Sequence, residues 1–430
     1  MDRLKVRLVG PLLKLKGKSA LDMARYAFDH TNFYKKIYKD TSLDKFEDLP
    51  VITKYNFIGV SPYDLLSDEF RDKVILYGET SGSSGSPTAA FFTKNDFQGL
   101  ISLSLLSPFA SEMKRTAKQN RIAINGLTFG FTIAGFSFGA ILQKAGFMVA
   151  QLGSRSTIAT PERMARTIVK LKPSAISATP MDFMSWLKII KIDYPNDYAE
   201  VVKNIKFLLS TAEPCALSRQ HQIERYFDIT HINTYASVDG LVSLQCPCGE
   251  MHLIDNLLEV ELFSGKMEPI GPYGTGRLCF TNLIRKSTPM VRFLLDDLVT
   301  IKETKCSYGY RKSIQPHGRY ELSVDINNHT LGNLDFEEII YRYGLFMNYN
   351  VEIYHNRINL ILEEYDGDFG NNYDLSGLKS EISRITGTDT SISIVPLGEM
   401  TAYRKVRDAK SIIKVVDKRN ESRQEMPSTL

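Results

Sequence analysis

Apolar residues recur along this chain in two rhythms. Near the start, Leu21, Met23, Ala24, Ala27 and Phe28 fall at helical spacing and predict an amphipathic helix within residues 18–40. Further on, short apolar runs predict strands at 74–77, 121–126, 146–150, 175–180, 207–214 and 232–240. A helix is predicted after 89–93, another from the segment 130–139, and a third at 161–172. Strand and helix alternating in this way predict an α/β fold with a mainly parallel sheet. The last part of the chain reads as a helix at 335–343, strands near 351–354 and 357–363, a helix at 375–386 and a strand at 391–395. That sequence of elements makes a compact α+β unit.

One loop interrupts the first rhythm. Between Thr80 and Thr88, nine residues hold two Gly, four Ser and two Thr, and no charge. Ser81, Gly82, Ser83, Ser84 and Gly85 offer many backbone N–H groups and hydroxyls with little side-chain bulk. Such a loop can wrap a polyphosphate. The plainer reading is a flexible Ser/Gly linker. Against it, the loop sits between apolar segments and ends sharply at Pro87-Thr88. No Gly-Lys-Ser/Thr follows, so it is not a Walker loop, and no Gly-x-Gly-x-x-Gly marks a dinucleotide fold.

At 430 residues the chain can bury a large core and form two or more domains. Its net charge of +4 is small against 53 basic and 49 acidic residues, which argues against nucleic-acid binding by bulk electrostatics. The first residues mix charges among apolar positions and offer no signal-peptide core. The longest apolar stretch, 129–142, is too short to span a membrane and is broken by Gly130, Gly135 and Gly139. The expectation is a cytoplasmic protein without a membrane or nucleic-acid partner.

Five cysteines do not suggest a disulfide framework. Cys246, Cys248 and His252 supply three soft or borderline ligands within one turn, and Cys306 can be the fourth. A Cys₃His set is a closed structural Zn²⁺ site. The alternative is reduced surface cysteines beside a stray histidine.

The Thr80–Thr88 loop resembles the phosphate-binding signature of the adenylate-forming enzymes, the acyl-CoA synthetase superfamily. Thr88 stands where most members have Lys after the Pro, as in the phenylacetate–CoA ligase branch. Thr31-Asn32-Phe33-Tyr34 and Leu49-Pro50-Val51-Ile52-Thr53-Lys54 look like the opening of that branch. The resemblance continues in order to Asp417. It implies a large N-terminal domain over 1–318, binding ATP and the acid, and a small mobile C-terminal domain over 319–430. His317-Gly318-Arg319-Tyr320-Glu321 would form the hinge between them.

The resemblance also implies roles. Thr80 to Gly85 and Thr88 would hold phosphates. Ala212-Glu213-Pro214 would meet adenine, with Thr211 in place of the family's Gly; without the resemblance Glu213 is a strand-end cap. Tyr235 and Ala236 would pack on the nucleotide and Asp239 would support Mg²⁺, although Val238 replaces a hydroxyl residue and Asp239 a Glu. Asp297 would hold the ribose hydroxyls, since a carboxylate can accept both protons of a cis-diol. Leu294 replaces the second Arg of that motif. Arg319 would reach the nucleotide. Lys410 would meet the carboxylate and α-phosphate, with Lys405 and Lys414 as rivals. Phe131, Phe136 and Phe138 would line the acyl pocket; their alternative is close helix packing around glycine.

The activity implied is ATP-dependent adenylation of a carboxylic acid, favoured as aromatic, with transfer to a thiol. Coenzyme A is the expected acceptor and a pantetheine carrier protein the alternative; a substrate other than a carboxylate is another. A nucleotide-binding, zinc-stabilised scaffold without catalysis is the reading from another class, suggested by Val238, Leu294 and Ala409. A homodimer is the expected assembly.

Overall fold

The computed structural model describes residues 19–80, 87–105, 107–237, 240–254, 257–366, 373–406 and 414–419. Helix α1 (Ala20–His30) starts where the Ser19 hydroxyl accepts from Asp22 N, and α2 (Asn32–Ile37) where Thr31 accepts from Tyr34 N. α1 buries Met23, Ala24 and Ala27, the face that the spacing predicts. A short helix, α3 (Pro62–Leu65), leads to the hairpin β1 (Val74–Glu79) and β2 (Ala89–Thr93). Then come α4 (Lys94–Ser104) and α5 (Ala110–Gln119).

The strand–helix alternation follows: β3 (Ile122–Asn125), α6 (Ala134–Ala145), β4 (Met148–Gln151), α7 (Pro161–Leu171), β5 (Ala175–Ala178), α8 (Pro180–Asp193), α9 (Pro195–Asn204), β6 (Phe207–Ser210), α10 (Leu217–Phe227) and β7 (Thr230–Ser237). Capping residues explain several of these boundaries. Thr160 and Thr179 cap α7 and α8, each followed by Pro at the first helical position, and Gly146 ends α6 in a left-handed conformation at φ 108°.

After β7 the chain runs through β8 (Gly240–Gln245), β9 (Met251–Leu253), β10 (Leu258–Phe263), β11 (Pro269–Gly271), β12 (Gly274–Asn282), β13 (Phe293–Glu303) and β14 (Lys312–Arg319). Among the described residues these strands and β3 to β7 form one twelve-stranded sheet, ordered β11-β10-β12-β13-β14-β9-β8-β7-β6-β5-β3-β4. Its β3 to β7 half is parallel, as the alternation predicts. From β7 onward the pairs are antiparallel, because the strands are joined without helical crossovers.

Past Arg319 lie the hairpin β15 (Val324–Ile326) and β16 (His329–Leu331), helix α11 (Asn333–Ile340), β17 (Phe346–Ile353), β18 (Arg357–Glu364), α12 (Leu375–Thr386), β19 (Asp389–Val395) and β20 (Val415–Asp417). The last four strands form a sheet ordered β19-β18-β17-β20. Its apolar face does not stand alone. Phe336, Tyr341, Tyr349 and Tyr365 share one continuous core with Phe183, Trp186, Ile190 and Phe227 of the large sheet's helices. Among the described residues no helix is long and apolar enough to cross a membrane.

Candidate active site

A cavity of about 1590 Å³ opens over the carboxyl ends of β6 and β7, at the place where the sheet changes from parallel to antiparallel. Open α/β sheets bind ligands at such strand ends. Of the residues singled out from the sequence, Thr80, Ala212, Glu213, Pro214, Tyr235, Ala236, Asp297, Arg319 and Phe138 line it. Ser81 to Gly85, Asp239 and Lys410 lie outside the described residues.

Asp297 reaches the cavity through a bulge. Arg277 of β12 pairs with Leu298 of β13, but Cys279 pairs with Leu294, so three residues of β13 oppose Leu278. Within the bulge Asp296 takes φ 66°, a conformation costly for a residue with a Cβ. The two neighbouring carboxylates therefore diverge. Asp296 pairs with Arg277 Nη2 at 2.6 Å. Asp297 accepts from Tyr235 Oη at 2.5 Å and meets Arg319 Nε at 3.1 Å. Burial, with the Asp297 charge beside it, holds the Tyr235 phenol well above its ordinary range, so this hydroxyl is a permanent donor. Arg319 is fixed by a second bond, from Nη1 to Leu295 O at 2.7 Å. Glu321 accepts from Lys54 Nζ at 2.8 Å, and that ammonium holds its carboxyl below the usual range.

Thr80 and Thr88 close the neck of the glycine-rich loop. Thr80 N donates to Thr88 O at 3.0 Å, and Thr88 N donates to Thr80 Oγ1 at 2.8 Å. Thr80 lines the cavity, and Thr88 is buried behind it. After β6 the chain turns at Ala212, whose φ is 67°. This turn holds Ala212 to Pro214 against the cavity.

Glu213 belongs to a buried network that the sequence did not reveal. One carboxylate oxygen accepts from Met181 N at 3.2 Å, and the other accepts from Arg219 Nη1 at 2.9 Å. Arg219, fully buried on α10, lies 3.6 Å from Glu337 Oε1 on α11. Glu337 Oε1 also accepts from Ala216 N at 3.0 Å, and Glu338 accepts from Ser218 N at 2.9 Å. α10 has no side-chain cap of its own. Two carboxylates from α11 satisfy its first N–H groups instead, where negative charge suits the helix dipole. Lys414 Nζ, just before β20, completes the group 3.5 Å from Glu337 Oε2. A glutamate next to Phe336 and one helical turn before Ile340 was the available sign of a charge turned inward.

The far end of the cavity is apolar. α4 presents Asn95, Asp96, Gly99, Leu100, Leu103 and Ser104 to it, and α6 presents Ala134, Ser137, Phe138 and Ile141. Both sets recur at helical spacing. Phe138 is 8% exposed, whereas Phe131 and Phe136 are 72% and 44% exposed and do not line the cavity. Phe136 lies two residues from Phe138 and so turns to another side of α6. The α4 face carried no motif and was not singled out.

Beyond this end lies the cysteine cluster. Cys246 Sγ is 3.6 Å from Cys306 Sγ, Cys306 is 3.6 Å from Cys248, and Cys248 Sγ is 3.2 Å from His252 Nε2. All four ligand atoms lie within 4.8 Å of one another. His252 Nδ1 donates to Lys312 O at 3.2 Å, which leaves the Nε2 lone pair facing the sulfurs. Cys246 and Cys306 also pack with Leu244 and with Leu103 of α4. The cluster thus braces one wall of the cavity.

No protein-family model matches the chain. A phenylacetate–coenzyme A ligase of Thermus thermophilus is 22% identical over 307 residues, which cover 67% of this chain and 65% of that protein. The chain thus spans just under two thirds of that relative's length. The phenylacetate–coenzyme A ligase of Escherichia coli is 22% identical over 319 residues, 70% of either chain. Among solved structures, a 2-hydroxyisobutyryl-CoA ligase in the postadenylation state with 2-HIB-AMP superposes with TM-score 0.72 at 16% identity, over 95% of this chain and 92% of that one. The AtGH3.15 acyl acid amido synthetase in complex with 2,4-DB gives 0.66 at 12% identity, over 98% and 95%. The chain has the fold of adenylate-forming ligases and is similar in sequence to phenylacetate–coenzyme A ligases.

Proposed function

We propose that the protein activates a carboxylic acid with ATP and transfers the acyl group to coenzyme A. The observation that carries this reading is the convergence of Thr80, Ala212 to Pro214, Tyr235, Asp297 and Arg319 on one cavity, in a chain similar to ligases of that reaction. An acid oxygen attacks the α-phosphorus, and the bond to pyrophosphate breaks. The thiol sulfur then attacks the acyl carbon, AMP leaves, and the thiol proton is released.

Each role follows from chemistry at the site. Asp297 is placed to accept from ribose hydroxyls, and Arg319 to balance phosphate charge. Thr80, with Ser81 to Gly85 and Thr88, would give donors to the departing pyrophosphate. Asp239 would hold Mg²⁺, a hard cation suited to carboxylate and phosphate oxygens. Lys410 would neutralise the reacting carboxylate and α-phosphate. Its rival Lys414 also lines the cavity, but there its ammonium is held between Glu337 and the ring of Tyr349. Three thiols and an imidazole with its Nδ1 proton anchored fit Zn²⁺. Cys246, Cys248, His252 and Cys306 would hold it as a closed structural site.

ATP–pyrophosphate exchange with Mg²⁺ tests the first step across a panel of carboxylic acids, and acyl-CoA formation tests the second. The expected result is exchange that depends on the acid, and a loss of about 10²–10³ in Lys410→Ala. Folded protein that supports no exchange with any acid would overturn the reading and favour the scaffold.

A further inference from the structure

The acid end of the cavity has a length and a chemistry of its own. On α6 the lining residues run from Ala134 to Ile141. Seven residues at 1.5 Å rise make this face about 10 Å long. α4 packs against α6, and its cavity face runs from Asn95 to Ser104, with Leu100 and Leu103 between. Leu209 of β6, Ile232 of β7 and Leu244 of β8 form the floor. Among the described lining residues of α4 and α6 the sole charge is Asp96, and its carboxylate caps α4 by accepting from Thr93 N and Oγ1 at 2.8 and 2.7 Å. Arg285 also lines the cavity, but on the β2 side, stacked on Phe92 and hydrogen-bonded to Thr288 O.

Gly99 stands in the middle of the α4 face. Glycine costs a helix interior about 1 kcal/mol relative to alanine. Packing does not demand it here: a Cβ at Gly99 would meet no atom within 4 Å. The glycines of α6 are different. A Cβ at Gly139 would collide with the Gln151 amide, and one at Gly135 with the carbonyl oxygen of Thr128. Gly135 and Gly139 are there for close packing, while Gly99 leaves space beside the cavity.

We propose that the acid carries an uncharged apolar body about 10 Å long, more than a single aromatic ring, lodged along the cavity faces of α4 and α6. Gly99 keeps open the room for it and sets the length of acid accepted. This inference rests on the adenylation reading above. Its chemical class is a medium-chain aliphatic or a two-ring aryl acid, without a second charge. Each buried methylene contributes about 0.8 kcal/mol, a factor of about four, so lengthening the body should raise kcat/KM about tenfold per pair of carbons until the space is filled.

Pyrophosphate exchange with benzoate, phenylacetate, hexanoate, decanoate and 4-biphenylacetate tests it, on the full chain and on Gly99→Leu. In the unsubstituted protein, decanoate or 4-biphenylacetate should exceed phenylacetate in kcat/KM by about tenfold or more, and whichever of the two leads identifies the body as aliphatic or aryl. Gly99→Leu, whose side chain would occupy the space, should shift the long-to-short ratio toward the short acids by about tenfold. Circular dichroism and a melting curve establish that the variant is folded. Exchange led by benzoate or phenylacetate, with a ratio that Gly99→Leu leaves alone, would overturn the proposal while the adenylation reading stands. Exchange with no acid would overturn both.

Discussion

The two ends of the cavity are built on opposite principles. At the end nearest α11, buried charges hold the structure: Glu213, Arg219, Glu337 and Lys414 pair in succession, almost wholly out of water. At the end lined by α4 and α6, the walls are mostly apolar, and a Cβ at Gly99 would meet no atom of the described residues within 4 Å. The ionic end joins the C-terminal unit to the turn after β6, so its geometry fixes where two parts of the chain meet. The apolar end is built from α4, α6, the β1-β2 hairpin and strands β6 to β8 of the large sheet. Damage to the first should therefore appear chiefly as lost stability, and damage to the second as altered choice of ligand.

The largest effect expected is that of Glu337→Ala. It removes the acceptor of Ala216 N and leaves Arg219 and Lys414 facing each other without their shared carboxylate. Breaking a buried ionic group by deleting one partner costs about 3–5 kcal/mol. Urea unfolding would measure it, and a loss below about 1 kcal/mol would reduce this junction to the rank of a surface pair. The deficit should also depend on pH. Burial already holds Lys414 below its usual range despite Glu337. Without Glu337 its folded pKa falls further, while the unfolded lysine stays near about 10.4. Between those values the unfolded state binds more protons, so the variant's stability rises with pH; the deficit shrinks until the pH passes the lowered pKa of Lys414 in the unsubstituted protein and is constant above it. A deficit that grows with pH over this window would contradict the assignment.

Next in size is the cysteine cluster. With Zn²⁺ bound at a thousandfold excess over its dissociation constant, the native state gains about 4 kcal/mol, less whatever the unfolded thiols retain. Elemental analysis should give one zinc per chain, and Cys248→Ser should lose it and unfold earlier. A chain free of zinc after purification in its presence, with an unaltered melting temperature in Cys248→Ser, would return these residues to the status of reduced cysteines.

Asp297 ranks third. Its bonds to Tyr235 and Arg319 pre-orient a carboxylate toward the cavity. Hydrogen bonds to charged groups contribute about 1.5–3 kcal/mol. Asp297→Asn should therefore weaken ATP binding about tenfold to a hundredfold in calorimetry, with little change in unfolding. Unchanged ATP affinity would remove Asp297 from the nucleotide site.

How much of this was legible in the sequence varies with the range of the interactions. The parallel half of the sheet was readable because each strand is followed by a helix, and the signals for both lie within local reach. The antiparallel half was not, since β14 meets β9 through the single register pair Ser313 and His252, far apart in the chain. Tyr235, Asp297 and Arg319 were legible as motif positions, but the bulge that turns Asp297 inward depends on the β12 register. Arg219 and Glu337 were not, because a charge on a helix looks like a surface residue until its partner is known. Phe131 and Phe136 show the limit from the other side: aromatic residues beside glycine suggest a pocket, yet helical phase directs Phe138 to the cavity and Phe136 elsewhere.

The smallest expected effect separates the two ends most sharply. At the ionic end no single residue can be simplified without leaving a charge or donor unmatched. At the apolar end Gly99→Ala should stabilise the protein by about 0.5–1 kcal/mol, because alanine is the better helix former and its methyl group meets nothing. A small rise in melting temperature would show that the chain carries a less stable helix where the cavity needs room. A fall would mean that the space beside Gly99 is already occupied, and the contrast between the two ends would then rest on the ionic network alone.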